Sequence, residues 1–152
     1  MELILWRHAD AEYGPPDMER ALTLKGLKQA ERMGTWLARN LPDTCRILVS
    51  PAKRAIQTAD GIKRKYKIVP ELAPDAAPES LLLAANWPHR KEPVLLVGHQ
   101  PTLGQVASLL LADSHQDWNI RKGNIWWFAQ REGEAGLETW LKLALAPDFV
   151  NK

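Results

Sequence analysis

The sequence has only one cysteine, Cys45, among its 152 residues, which excludes a disulfide framework. It also has little net charge, because 20 basic residues oppose 18 acidic ones, and this balance argues against nucleic-acid binding. No apolar run approaches the length needed to cross a bilayer, and Met1 leads into an apolar segment without a basic leader. We therefore expect a cytoplasmic protein without nucleic-acid or membrane partners.

Length and composition are those of one ordinary globular domain. Apolar residues make up 45% of the chain and charged residues 25%, close to the averages of folded domains. A chain of this length buries enough apolar surface to fold without help from a metal or a disulfide. We expect residues 1–152 to form a single domain that acts as a monomer.

Apolar segments typical of strands alternate with segments typical of helices. Strands are predicted over 3–6, 46–50, 67–72, 93–99, 124–130 and 138–145, and helices are predicted to begin near Thr23, Ser50, Pro78 and Pro101. The helix that begins near Pro78 is expected to span about ten residues. Alternation of this kind favours right-handed crossovers and a mainly parallel sheet between two helical layers. The sequence therefore predicts an α/β fold, a three-layer α/β/α sandwich.

Helical spacing also predicts which residues face the core. The first helix, capped by Thr23, is expected to end before Pro42 and to bury Leu27, Ala30, Gly34, Leu37 and Leu41. The second helix is expected to begin with Ser50 as its cap, since a serine followed by a proline is a common helix start. The fourth is expected to turn a stripe of five apolar residues inward, namely Leu103, Val106, Ala107, Leu110 and Leu111.

Cationic and imidazole side chains follow three of the predicted strands. Arg7 and His8 follow the first, Ser50 to Arg54 the second, and His99 the strand "PVLLV". The carboxyl ends of parallel strands meet at one edge of a sheet, where ligands bind. Guanidinium groups match phosphate oxygens, and imidazole adds a donor or a nucleophile. The predicted ligand is a phosphoryl group.

The motifs at these positions resemble those of the histidine phosphatase superfamily, also called phosphoglycerate mutase-like. The resemblance is carried by "RHA" at 7–9, "LTLKGLKQA" at 22–30, "SPAKRAIQTA" at 50–59 and "GHQP" at 98–101, and it covers residues 3 to about 112. The short chain and Ala9, where many members have glycine, resemble the small SixA-type phosphohistidine phosphatases. The resemblance implies a phosphoglycerate mutase-like fold.

The resemblance also implies roles for individual residues of these motifs. His8 is expected to attack phosphorus and become transiently phosphorylated, while Arg7, Arg54 and His99 hold the phosphoryl oxygens. Ser50 is expected to steady the binding site. Neither a metal nor another cofactor is implied. The resemblance implies phosphohistidine on a signalling or phosphotransfer protein as the substrate, and the short chain, which leaves little room for a lid, suits a bulky protein.

The proton donor to the leaving group is less well defined by the sequence. The loop "ELAPDAAPESLL" offers Asp75 and Glu79, and we rank Glu79 first because of its resemblance to the acid segment of some relatives. An imidazole leaving group needs an acid less than an alkoxide does, so an indistinct acid favours a P–N substrate.

Several simpler interpretations accompany these predictions. A small-molecule phosphatase of the same superfamily and a non-catalytic module that recognises phosphate are the two alternative functions. Lys122 has the alternative of reaching toward phosphate, but we interpret it, like Lys25, as a solvated surface residue. The histidines show no spacing typical of a metal site.

Overall fold

A six-stranded sheet forms the centre of the computed structural model, which describes residues 1–150. The strands are β1 (Glu2–Arg7), β2 (Arg46–Val49), β3 (Lys67–Ile68), β4 (Val94–Gly98), β5 (Ile125–Gly133) and β6 (Gly136–Leu145). Their spatial order is β3-β2-β4-β1-β5-β6. The first four run parallel, whereas β5 is antiparallel to β1 and β6 is antiparallel to β5. The mainly parallel sheet is confirmed.

Helices cover both faces of this sheet. The described residues form α1 (Leu24–Asn40), α2 (Lys53–Asp60), α3 (Pro78–Ala84) and α4 (Thr102–Ala112). Alternate residues of β1 face opposite sides: Ile4 and Trp6 pack with α1 and α2, and Leu3 and Leu5 with α3 and α4. The two resulting cores make the three-layer α/β/α sandwich that the sequence predicts.

The helix starts agree with the sequence at α1 and differ at α2. The Thr23 hydroxyl accepts a hydrogen bond from the Gly26 amide at 3.0 Å and caps α1, as predicted. The predicted cap of α2 is wrong, because that helix is capped by Ala52 and Ser50 lies two residues earlier. Two extra residues turn the chain from β2 into α2. The Ser50 hydroxyl lies against the His99 ring instead of capping the helix.

Two leucines predicted to be buried are exposed. Leu27 is 43% exposed because the buried face of α1 is rotated toward Gly26, which packs against the loop after β1. Leu111, in the last turn of α4, is 36% exposed. The core beneath α4 reaches as far as Ala107 and the half-buried Leu110 and does not extend to Leu111.

The third strand and third helix are shorter than predicted. Pairing between β3 and β2 covers two residues, because Pro70 has no amide hydrogen to extend it and the chain continues as a 3₁₀ helix over Pro70–Leu72. α3 has seven residues rather than about ten. Within residues 1–150, no helix combines the length and the apolar character that a membrane span requires.

Candidate active site

Three neighbouring strand ends form one wall of a polar cavity. The His8 amide donates to the Gly98 carbonyl at 3.1 Å, and the Ser50 amide donates to the Val97 carbonyl at 3.0 Å, so β1, β4 and β2 end side by side. The cavity has a volume of about 390 Å³, and its lining includes Arg7, His8, Arg54 and His99. Four of the side chains expected to bind a phosphoryl group therefore line one cavity.

The hydrogen bonds of His8 define which ring nitrogen is available for chemistry. His8 Nδ1 lies 2.8 Å from the Ala9 carbonyl oxygen. A carbonyl only accepts, so Nδ1 carries the proton and Nε2 keeps its lone pair. The Ala9 amide donates in turn to Thr58 Oγ1 at 3.0 Å, which fixes the turn after β1. The neutral imidazole is thus held in the tautomer of a nucleophile.

The protonation state of His8 follows from its surroundings. Burial lowers the pKa of His8 from 6.5 to about 4, and the positive charges of Arg7, Arg54 and Arg20 act in the same direction. The hydrogen bond to the Ala9 carbonyl opposes this effect without cancelling it. His8 is therefore neutral at physiological pH, when its lone pair is needed.

His99 is held by the hydroxyl that follows β2. Ser50 Oγ lies 2.7 Å from His99 Nε2 and accepts a hydrogen bond from the Ala52 amide at 3.2 Å. Because the hydroxyl oxygen already accepts from Ala52, we assign its proton to the hydrogen bond with Nε2. His99 then carries its own proton on Nδ1. Burial lowers the pKa of His99 to about 3, and repulsion from Arg54, and from His8 once that ring is protonated, adds to the effect. The ring centroids of His8 and His99 are 5.2 Å apart.

The cavity contains hydrogen-bond donors that lack acceptors. Within residues 1–150, His99 Nδ1 and the Nε atoms of Arg7 and Arg54 are buried without a hydrogen-bond partner. The outer nitrogens of the arginines are held by backbone oxygens, Arg7 Nη1 by Ile120 at 3.0 Å and Arg54 Nη1 by Asp17 at 2.7 Å. Buried donors without acceptors are unfavourable, and an oxyanion in the cavity would satisfy them.

Comparison with known proteins agrees with this geometry. The profile of the histidine phosphatase superfamily (branch 1) matches residues 3–77. Phosphohistidine phosphatase SixA of Escherichia coli is 30% identical in an alignment of 119 residues that covers 72% of this chain and 74% of that protein. The Haemophilus influenzae SixA homolog is 30% identical over 126 residues, covering 72% of this chain and 77% of the homolog.

The chain belongs to the histidine phosphatase superfamily. Its fold also matches the crystal structure of a candidate phosphohistidine phosphatase SixA from Agrobacterium tumefaciens, with a TM-score of 0.78 and 25% identity. That alignment covers 96% of this chain and 97% of the other. Within the superfamily, the similarities are to the SixA-type branch, and the phosphoglycerate mutase-like fold is confirmed.

The superfamily motif "LTLKGLKQA" supports the loop that follows the histidine. Thr23 Oγ1 donates to Asp10 Oδ2 at 2.8 Å, and Gln29 Oε1 accepts from the Asp10 amide at 3.0 Å. At Gly26 a Cβ atom would overlap the Asp10 carbonyl oxygen, so only glycine fits between α1 and this loop. The motif therefore positions the backbone two residues beyond His8.

The polar residues of the motif "SPAKRAIQTA" contact the cavity and the segments that surround it. Arg54 lines the cavity, Gln57 Oε1 accepts from the Leu22 amide at 2.7 Å, and Thr58 binds the Ala9 amide. Ser50, which is fully buried, lies behind His99 and orients its ring. These contacts explain the spacing of the motif in physical terms.

Other residues line the cavity that sequence reasoning missed. They are Tyr13, Asp17, Arg20, Pro74 and Gln100. Lys122, for which reach toward phosphate was the less favoured interpretation, also lines the cavity, and its Nζ lies 3.3 Å from Asp10 Oδ1 and 5.6 Å from the centre of the Tyr13 ring. The available signal was the segment "YGPPDMER", where Asp17, Glu19 and Arg20 lie close together in a loop, since loops often carry binding residues.

The structure does not bring Glu79 to the cavity. Glu79, which we ranked ahead of Asp75, is exposed in the first turn of α3 between the buried Pro78 and Leu81 and does not line the cavity. Asp75 lines the cavity, because the loop bends there with a φ of 68° before α3 begins. In residues 1–150, no group of three or more His, Cys, Asp or Glu side chains is arranged to hold a metal ion.

Proposed function

We propose that this histidine phosphatase superfamily member hydrolyses phosphohistidine through a phosphorylated His8 intermediate, in one domain spanning 1–152 and without a metal or other cofactor. Its similarity to the SixA protein of E. coli, a phosphohistidine phosphatase, supports the substrate class. The observation that carries the mechanism is the Nδ1 hydrogen bond of His8, which leaves a neutral Nε2 among cationic side chains.

In the first step, the His8 Nε2 lone pair attacks phosphorus. A new N–P bond forms while the bond from phosphorus to the substrate imidazole breaks, and the electron pair leaves with that imidazole. The leaving ring departs neutral because its other nitrogen carries a proton. In the second step, water attacks the phosphorylated His8, the N–P bond breaks, and inorganic phosphate is released with loss of one proton. The covalent intermediate divides one difficult transfer into two easier ones.

The donors around the cavity stabilise the charge that spreads over the phosphoryl oxygens during transfer. Arg7 and Arg54 supply buried guanidinium groups, and His99 supplies its Nδ1 proton. Such donors need no rearrangement when charge develops, which is the most effective form of electrostatic catalysis. Ser50 acts through His99 and is a positioning residue, since its hydroxyl binds that ring.

A small-molecule phosphomonoesterase is the second candidate function, and Asp75 favours it. A carboxyl at the cavity edge can protonate an alkoxide, which is a much poorer leaving group than the neutral imidazole released from a protonated phosphoimidazole. We assign Asp75 this role for esters. Replacing the Asp75 carboxyl should therefore slow the hydrolysis of phosphohistidine less than that of an ester.

The test compares kcat/KM on a phosphohistidine peptide with kcat/KM on a phosphoserine peptide of the same sequence and on a small phosphate ester. We expect the phosphohistidine peptide to be hydrolysed fastest, and His8→Ala to abolish turnover of all three. Faster hydrolysis of the small ester would favour the phosphomonoesterase. Binding of the phosphopeptide without any turnover would identify a phosphate-recognising module instead. Glu79→Gln, outside the cavity, is the matched control for Asp75→Asn.

A further inference from the structure

A second polar cavity adjoins the catalytic one. It has a volume of about 610 Å³ and lies between the start of α1, the loop before β5 and the segment 146–149. Arg7 and Lys122 line both cavities, so the two share a wall. A ligand bound in both would have its phosphoryl group beside His8 and its remainder in this second cavity, which we call the basic groove.

Positive charge dominates the basic groove. Its cationic lining residues are Arg7, Lys25, Arg121 and Lys122, and its carboxylates are Asp10 and Asp148. Asp10 is already bound by the Thr23 hydroxyl at 2.8 Å and by Lys122 at 3.3 Å, and these contacts lower the pKa of Asp10. Among residues 1–150, Lys25 and Arg121 have no carboxylate within 4.0 Å. An acidic ligand is the chemistry that this lining fits.

The remaining lining fits a polypeptide better than a small metabolite. Asn119 and Asn124 carry amides that can pair with peptide groups, and Phe149 offers an apolar ring that is 83% exposed. The groove is also larger than the catalytic cavity, so a single second phosphate would leave most of it unfilled.

We propose that the basic groove binds an acidic segment of the phosphoprotein substrate next to the phosphorylated side chain. Lys25 and Arg121 bind its carboxylates, while the phosphoryl group lies beside His8. This inference rests on the proposed function and adds the specificity determinant that distinguishes one phosphoprotein from another. Lys25 and Arg121 do not line the catalytic cavity, so they affect recognition rather than the chemical step.

The test uses the full chain and two phosphohistidine peptides, one with acidic flanks and one with neutral flanks. At low salt, the KM of the wild-type protein should be about tenfold lower for the acidic peptide, and added salt should reduce this difference. The double variant Lys25→Glu/Arg121→Glu should abolish the preference. It should leave the turnover of phosphoimidazole, a small P–N substrate, unchanged. Arg121→Gln alone should reduce the preference partly.

The control is Lys67→Glu, a single charge reversal on β3 at the opposite edge of the sheet, which should keep the full preference. Equal KM values for both peptides in the wild-type protein would overturn the groove proposal, while turnover of phosphohistidine would still support the proposed function. Loss of phosphoimidazole turnover in a folded double variant would also overturn it. A third result would overturn the proposal: the double variant hydrolyses a bisphosphorylated ester more slowly but keeps the preference for the acidic peptide. The groove would then bind a second phosphate rather than a peptide.

Discussion

The buried His8 imidazole makes the stability of the folded chain depend on pH. Burial lowers its pKa from 6.5 to about 4 in the folded state, whereas the unfolded chain exposes the ring to water. Above pH 6.5 the ring is neutral in both states. As the pH falls from there toward 4, the unfolded chain binds a proton that the folded chain does not, so the free energy of unfolding falls. The pKa difference corresponds to about 3 kcal/mol.

The variant His8→Asn removes this titration while keeping a polar side chain of similar size. Urea unfolding from pH 7 to pH 4 should show that the wild-type protein loses about 3 kcal/mol more stability than the variant. His115→Asn, a change at an exposed histidine, should lose as much as the wild type. Equal losses in the wild type and His8→Asn would refute the claim that the ring is buried as a neutral base.

Three further variants test the site. Gly26→Ala should lower the free energy of unfolding by about 2 kcal/mol in urea, because its Cβ overlaps the Asp10 carbonyl, and an unchanged midpoint would contradict that packing. Asp17→Asn should tighten inhibition by inorganic phosphate about threefold, because it removes a carboxylate 3.2 Å from Arg54, whereas weaker inhibition would make Asp17 a positioning residue. Asp75→Asn should slow alkyl phosphate esters by about 100-fold and phosphohistidine far less, and equal slowing would contradict its leaving-group role.

Much of the fold follows from short-range signals in the sequence. The runs "LILW" and "PVLLV" are continuously apolar because β1 and β4 are covered on both faces, and Thr23 caps α1 as its position predicts. Packing decides what these signals leave open. Leu27 has the spacing of a core residue, yet the close approach at Gly26 rotates the helix and exposes it.

The site was predictable where strand ends deliver its residues and less so where loops do. His8 and His99 follow strands whose neighbours in the sheet can be inferred from topology. Asp17 and Lys122 reach the cavity from loops 100 residues or more apart in sequence, and only tertiary packing brings them together. The choice between Asp75 and Glu79 depended on one bend in the loop before α3.

The central claim is that His8 becomes covalently phosphorylated. The most direct measurement is an alkaline quench of the enzyme during turnover of a radiolabelled phosphohistidine peptide, followed by peptide mapping of the labelled protein. We predict one phosphoryl group on the peptide that contains His8, and no label in His8→Ala. Label on another residue, or a fully active His8→Ala protein, would contradict the mechanism.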